Sequence, residues 1–495
     1  MANAPGPEFL RAGEPFESAA GAAINRLYLA DEAAAVAEAL ELARLPAAER
    51  QAIQRDAMTL VAAARRRRAG KGGVEAFLQQ YHLASQEGVV LMCLAEALLR
   101  IPDAETADRL IADKISTGQW SDHLGEAESL FVNASTWGLM LTGQLVRPAD
   151  SDLRDPASVL RRLVARLGEP VLRAAFRQAM RIMGHQFVMG RTIGDALERA
   201  ATGEDARYRH TYDMLGESAL TAPDALRYMQ AYSAAIAAVG ASVQAGSAPA
   251  SWPSISVKLS ALHPRYEFGR RGQILSELGA RIETLALEAR DTGIALTIDA
   301  EEADRLELSL ELLDRLLRQP KLAGWDGLGL AVQAYAKRAA DVLRYVGQRA
   351  DESGRVLNVR LVKGAYWDSE VKRAQERGLP GYPVYTRKQN TDVSYLACAR
   401  ILLDGSRLVY PQFATHNAHT VASVIHLAAA RGREFEFQRL HGMGEELYAE
   451  VTDPAGRALP CRVYAPVGSH EDLLPYLVRR LLENGSNTSL VNSVV

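Results

Sequence analysis

The chain has 495 residues and a formal net charge of -3. That length exceeds one ordinary domain and can bury a large core. The near-balanced charge argues against a nucleic-acid binder or a strongly acidic partner. The run Arg65 to Arg68 reads as a solvated helix end rather than a nucleic-acid patch. Cys93, Cys398 and Cys461 lie far apart, with no metal spacing and no disulfide framework, as expected in a reducing cytosol. The start MANAPGPEFLRAGEP lacks the charged-then-apolar pattern of a signal peptide. The run GVVLMCLAEALLR at 88–100 is too short for a membrane span and ends in charge, which leaves room only for peripheral membrane contact.

Residues 28–69 are dense in Ala, Leu, Glu and Arg at helical spacing and predict helix. GKGG at 70–73 breaks the pattern. Further helices are predicted over 74–101, 104–115, 126–140 and 156–200, with turn chemistry in PADSDLRDP at 148–156. This suggests a helical arm at 1–72 and a helical linker domain at 73–203.

From about residue 207 the texture changes, and short apolar runs alternate with amphipathic helical stretches such as 274–293. The strand candidates are 209–215, 254–262, 295–303, 328–335, 358–366, 410–417, 436–442 and 461–468. Regular strand–helix alternation implies parallel strands with crossover helices. Eight such units predict a closed (β/α)8 barrel over 204–495. An open doubly wound sheet is the alternative, but the glycine-rich turn it usually carries after its first strand is missing.

In such barrels the chemistry sits at the C-terminal ends of the strands. Here those ends carry Lys258, Asp299, Gln333, Arg360, Lys363, Thr415, His416, Asn417 and Tyr464. Each alone is an ordinary loop or structural residue. Convergence from many strands is what a pocket needs. The adjacent pair Arg479-Arg480 follows in PYLVRRLLENGSNTSLVN. On a helix the two side chains point about 100° apart. They read either as a solvated basic face or, over a pocket, as a clamp that grips one anion with two guanidinium forks. With Lys258, Arg360 and Lys363 they set several cations against few acids, mainly Asp299 and Glu217, and favour an anionic ligand. No metal spacing, nucleophile elbow, paired carboxylates or phosphate loop is present, which points to an organic cofactor.

The segments SVKLSALHPRYEFGR, TIDAEEADRLE, LAVQAYAKR, RLVKGAYWDSE, FATHNAHT, EFQRLHGMGE, YAPVG and YLVRRLLENGSNTS, in this order, resemble the proline dehydrogenase domain of bacterial proline utilization A. The helical stretch 80–200 is similar to the domain that precedes it. The resemblance implies a (β/α)8 barrel that oxidises L-proline to Δ1-pyrroline-5-carboxylate, with FAD accepting the hydride and a quinone taking the electrons. It implies that Arg479 and Arg480 grip the proline carboxylate with Lys258 as a third contact, and that Tyr464 and Tyr366 wall the ring. Asp299 and Arg360 are implied as the acid and cation beside the flavin. Ala300, Gln333, Lys363, Gly364, Ala365, Trp367, Thr415 and His416 are implied along the cofactor. Glu483, one turn after Arg479, can orient that arginine and is counted with the cofactor contacts. Glu217 matches an acid in the first strand's loop.

The family carries a downstream aldehyde-dehydrogenase module. No NAD-binding glycine motif occurs here, so the chain is expected to be a truncated piece. Some members begin with a ribbon-helix-helix DNA-binding domain. The N-terminus here has no leading β-ribbon, so no DNA partner is expected. The rival readings are a cofactor-free lyase or aldolase with a Schiff base on Lys258, and a non-catalytic regulatory scaffold. A flavin spectrum distinguishes the first, and proline-dependent dye reduction the second.

Overall fold

The computed structural model describes residues 19–69 and 187–468, apart from positions 217, 244, 245 and 247. Eight parallel strands close into a barrel in chain order. They are β1 (Arg209–Met214), β2 (Ser254–Val257), β3 (Ala295–Ile298), β4 (Leu328–Gln333), β5 (Leu357–Val362), β6 (Val409–Ala414), β7 (Glu436–Leu440) and β8 (Cys461–Val467). β1 pairs with both β2 and β8, so no sheet edge remains. Helices join successive strands, among them Ala222–Ala241, Arg271–Thr292, Leu306–Arg318 and Ala339–Ser353. The expected barrel with its helical N-terminal region is what the chain forms.

All eight predicted runs are strands, but each prediction runs past the true C-terminal end. The error is largest at β2 and β3. After Val257, which pairs with Ile298, the chain turns into a helical turn at Leu259–Leu262. Polar residues at those ends were read as strand because an end is set by the loss of a partner, which a single run does not display.

Along each strand the side chains alternate between two surroundings. Ile255, Leu296, Leu330, Val359, Phe413 and Val463 are buried in one apolar cluster with Ile236, Leu278 and Leu313 of the surrounding helices. The alternate positions face the barrel axis, and many are polar, among them Thr211, Ser256, Arg360, Gln412 and Glu436. Glu436 lies fully buried there and accepts from Arg462 Nε at 2.6 Å, Gln412 Nε2 at 2.8 Å, Arg209 Nη1 at 3.0 Å and Gln438 Nε2 at 3.2 Å. Barrels of this kind usually fill the axis with branched apolar side chains. This one holds a hydrogen-bonded ionic interior that leads upward to the strand ends.

The arm consists of α1 (Ala19–Arg26), α2 (Glu32–Ala43) and α3 (Ala47–Ala69). The stretch predicted as helix over 28–69 is interrupted because Arg44 is extended and Pro46 disfavours helix at the residue before it. Ile24, Ile53, Ala57 and Leu60 join the barrel's apolar cluster. Residues 19–68 and 189–467 belong to one compact unit. The helix predicted over 156–200 also differs in its described part. Gly190 forms a β-bridge with Val467, and a new helix, Ile193–Ala200, starts at Thr192. Thr192 Oγ1 accepts from Asp195 N at 3.2 Å, and Asp195 accepts from Thr192 N at 3.0 Å. The helices predicted at 74–101, 104–115 and 126–140 lie outside the described residues. Among the described residues no helix is long and apolar enough to cross a membrane.

Candidate active site

Five side chains from five strand ends meet at the C-terminal mouth of the barrel. Lys258 Nζ donates to Asp213 Oδ1 at 2.7 Å, to Asp299 Oδ2 at 3.2 Å and to Tyr464 Oη at 3.3 Å. Tyr464 Oη donates to Asp299 Oδ2 at 2.7 Å, and Arg360 Nη1 donates to Asp299 Oδ1 at 2.7 Å. The Arg360 guanidinium also lies 5.1 Å from the centre of the Tyr464 ring. Two more of its donors are held from below, by Gln438 Oε1 at 2.7 Å and Ser256 Oγ at 3.0 Å. Gln438 in turn contacts Glu436, so the site rests on the polar interior. A lone acid or cation here would be a solvated loop residue. Lys258, Asp299 and Arg360 are instead buried, at 7, 8 and 3 % exposure.

The set carries two cations and two carboxyl groups. Burial opposes ionisation of Asp299, but Lys258, Arg360 and the Tyr464 hydroxyl outweigh it and hold the carboxyl below its usual range. Asp213 moves the other way: burial pushes it up, and the charge of Asp299 adds to this against the pull of Lys258. Burial also works against the Lys258 ammonium, yet Asp213, Tyr464 and Asp299 hold it well above its ordinary value.

The residues expected along a cofactor form a second group. Gln333, at the end of β4, donates to the Glu301 carbonyl at 2.8 Å and accepts from Ala365 N at 3.2 Å. It ties the loops after β3 and β5 together. Asp299, Ala300, Val332, Gln333 and Tyr335 line one cavity. Gly364 has φ +140, and a Cβ there would lie 2.5 Å from the Tyr335 ring, so the position requires glycine. Lys363 Nζ pairs with Asp392. Tyr366 is half-buried and its carbonyl accepts from Glu370 N at 2.9 Å. Trp367 is 41 % exposed and its indole donates to the Tyr385 carbonyl at 2.8 Å. Just after β6, Thr415 Oγ1 accepts from Asn417 N at 3.1 Å, and His416 Nε2 accepts from Leu440 N at 3.1 Å. Arg479, Arg480, Glu483 and Glu217 lie outside the described residues.

A family model described as "Proline dehydrogenase" matches residues 196–493, more than half of the chain. The chain belongs to the proline dehydrogenase family. Two further models match, "Proline utilization A proline dehydrogenase N-terminal domain" over 18–65 and "DNA-binding domain of Proline dehydrogenase" over 73–187. The chain is 52% identical over 486 residues to the bifunctional protein PutA of Salmonella typhimurium, covering 97% of this chain and 37% of that protein. It is 49% identical over 481 residues to the bifunctional protein PutA of Rhizobium meliloti, covering 95% and 38%. A crystal structure of a variant of Bradyrhizobium japonicum proline utilization A superposes with TM-score 0.71 at 49% identity, covering 97% of this chain and 47% of that one. The chain thus spans less than half the length of each of these relatives.

For this proline dehydrogenase family member, the sequence reading missed Asp213 and Gln438. It counted few acids near the cations, whereas Asp213 is a direct partner of Lys258. A signal was present in RHTYDM and EFQRL. Polar residues at alternate positions of a strand buried on both faces are anomalous for a parallel sheet, and they mark the inward side. Cys398 and Cys461 are buried and free, and burial pushes each thiol up to about 12. Neither is an activated nucleophile.

Proposed function

We propose that this chain oxidises L-proline to Δ1-pyrroline-5-carboxylate, with FAD as the bound acceptor and a quinone receiving the electrons. The observation that carries the reading is the closed network of Asp213, Lys258, Asp299, Arg360 and Tyr464 at the barrel mouth, inside the region that matches the family. A downstream aldehyde-dehydrogenase module, which the family resemblance implies, would complete the conversion to glutamate. The three-part organisation 1–72, 73–203 and 204–495 goes with this reading.

The donor set fits a flavin dinucleotide. Gln333 and Arg360 offer amide and guanidinium donors near the axis, suited to the polar edge of a flavin ring. Lys363, Thr415 and His416, on the next strand ends, offer a cation, a hydroxyl and an aromatic ring suited to a pyrophosphate and a nucleoside. Bound FAD would supply a two-electron acceptor for the hydride from proline C5. The protein's contribution is placement. The three protons of Lys258 already have three acceptors, so we assign it to ordering the two aspartates rather than to a free grip on the substrate. The carboxylate grip is left to Arg479 and Arg480. Tyr464 and Tyr366 would wall the ring.

A Schiff-base lyase needs a neutral lysine, whereas Asp213 and Asp299 hold Lys258 charged. The test is the visible spectrum of the purified protein before and after anaerobic addition of L-proline. A flavin spectrum that bleaches with proline supports the reading. A colourless protein that ignores added FAD overturns it, and a flavin unaffected by proline leaves the scaffold reading.

One finding favours a second activity. The match over 73–187 carries a DNA-binding description and stands against the expectation of no DNA partner, which came from the near-neutral charge and the extreme N-terminus. A mobility shift that survives excess competitor DNA would establish it.

A further inference from the structure

The loop and helix start at 383–392 lie between the arm and the residues assigned to the cofactor. On one side, Trp367 Nε1 donates to the Tyr385 carbonyl at 2.8 Å, and Asp392 pairs with Lys363. Val384 bridges to Ala336, and Tyr385 N donates to the Tyr335 carbonyl at 2.8 Å while Tyr335 N donates to that of Lys363 at 2.8 Å. On the other side stands Glu32, the first residue of α2. Its carboxylate accepts from Thr386 N at 2.9 Å, Thr386 Oγ1 at 2.9 Å and Asn390 Nδ2 at 2.7 Å. The helix Lys388–Asp404 has no side-chain cap of its own at Arg387. Glu32 thus holds, from the arm, the residue just before the N-cap and a side chain of the helix's first turn, and it places a negative charge near the helix N-terminus. Two neighbours reinforce the seat: Lys337 Nζ donates to the Ala30 carbonyl at 2.8 Å, and Arg338 lies 4.8 Å from the Tyr28 ring centre.

We propose that Glu32 is a positioning residue for the cofactor: the arm fixes residues 383–392, and these fix Lys363 and Trp367 in the conformation that holds FAD. The inference rests on the flavin reading above. It makes the N-terminal arm part of the cofactor site although no described arm residue lines the cavity there.

The test compares three variants of the full chain by fluorescence titration with FAD and by hydrogen exchange of the flavin-free protein. Glu32→Ala should weaken FAD binding about five- to tenfold, the scale of one lost hydrogen bond. It should also speed exchange in both 383–392 and 363–367, while the KM for proline at saturating FAD stays unchanged. Glu32→Gln keeps an acceptor for Thr386 N and should restore affinity to within about twofold of the parent. Asp56→Ala breaks a different tie of the arm, to Arg457 and His426, and should leave FAD affinity unchanged. Equal weakening by Glu32→Ala and Asp56→Ala would reduce the effect to general stability and overturn the proposal. So would faster exchange in 383–392 without any change in 363–367. A parent protein that binds no FAD would instead overturn the flavin reading itself.

Discussion

Tyr464 on β8 and Asp299, the residue after β3, meet across the barrel mouth through a 2.7 Å hydrogen bond from phenol to carboxylate. Tyr464→Phe keeps the ring beside Arg360 but removes that donor. The expected outcome is a kcat/KM for proline lowered about tenfold, the scale of one lost hydrogen bond to a charged group, with unchanged flavin content. Steady-state dye reduction with parallel flavin quantitation checks it.

Asp299 is the carboxylate that both Lys258 and Arg360 share. Asp299→Ala leaves two buried cations with one remaining acid and should cost about 3 kcal/mol of stability in urea unfolding. Adding Lys258→Met should recover part of that loss. Strict additivity of the two changes would show that the pair is not coupled.

Glu370 sets a pH dependence. Burial, with the charge of Asp304, raises its carboxyl from 4.5 to about 7, against the hydrogen bond from Ala303 N. The folded state therefore binds more protons than the unfolded chain between these values. The contribution to stability is fully present below pH 4.5 and is lost as pH rises through about 7. Glu370→Gln keeps an acceptor for Ala303 and removes the titration. The variant should gain on the parent with rising pH, by at most about 3 kcal/mol at pH 8, and the gain should vanish near pH 4. Denaturant unfolding across that range measures it.

Gly364→Ala forces a Cβ against the Tyr335 ring at a φ that side chains rarely adopt. A loss of about 2 kcal/mol in thermal unfolding of flavin-free protein is expected, with weaker FAD retention. An unchanged Tm would mean that Tyr335 moves aside at no cost.

Arg480→Met should raise the KM for proline by about 30- to 1000-fold and leave flavin content near that of the parent, if Arg480 is half of the carboxylate grip. An unchanged KM would make the arginine pair a solvated face.

The eight strands were legible because each carries a compact apolar face and a polar end. Lys258, Asp299, Arg360 and Tyr464 were found on the same ground. Their mutual pairing was not, since it depends on which strands become neighbours. Lys258 therefore read as a free cation when two aspartates already claim it. Asp213 and Gln438 were passed over because no residue of the first or seventh run was counted among the polar strand ends. The role of Glu32 could not be read at all, because its partner Thr386 lies 354 positions away and the arm has no motif of its own.

The buried carboxylate of Glu436 bears on how the barrel closes. Its donors come from β1, β6 and β8 as well as from β7 itself. Sliding β8 by one residue against β1 would turn Arg462 out among the apolar helices and strand Glu436 without its nearest cation. An apolar axis would accept such a slip with little complaint. Here a misregistered barrel is penalised at its centre, so the same charges that support the site also act as a gauge that rejects every ring of strands but one.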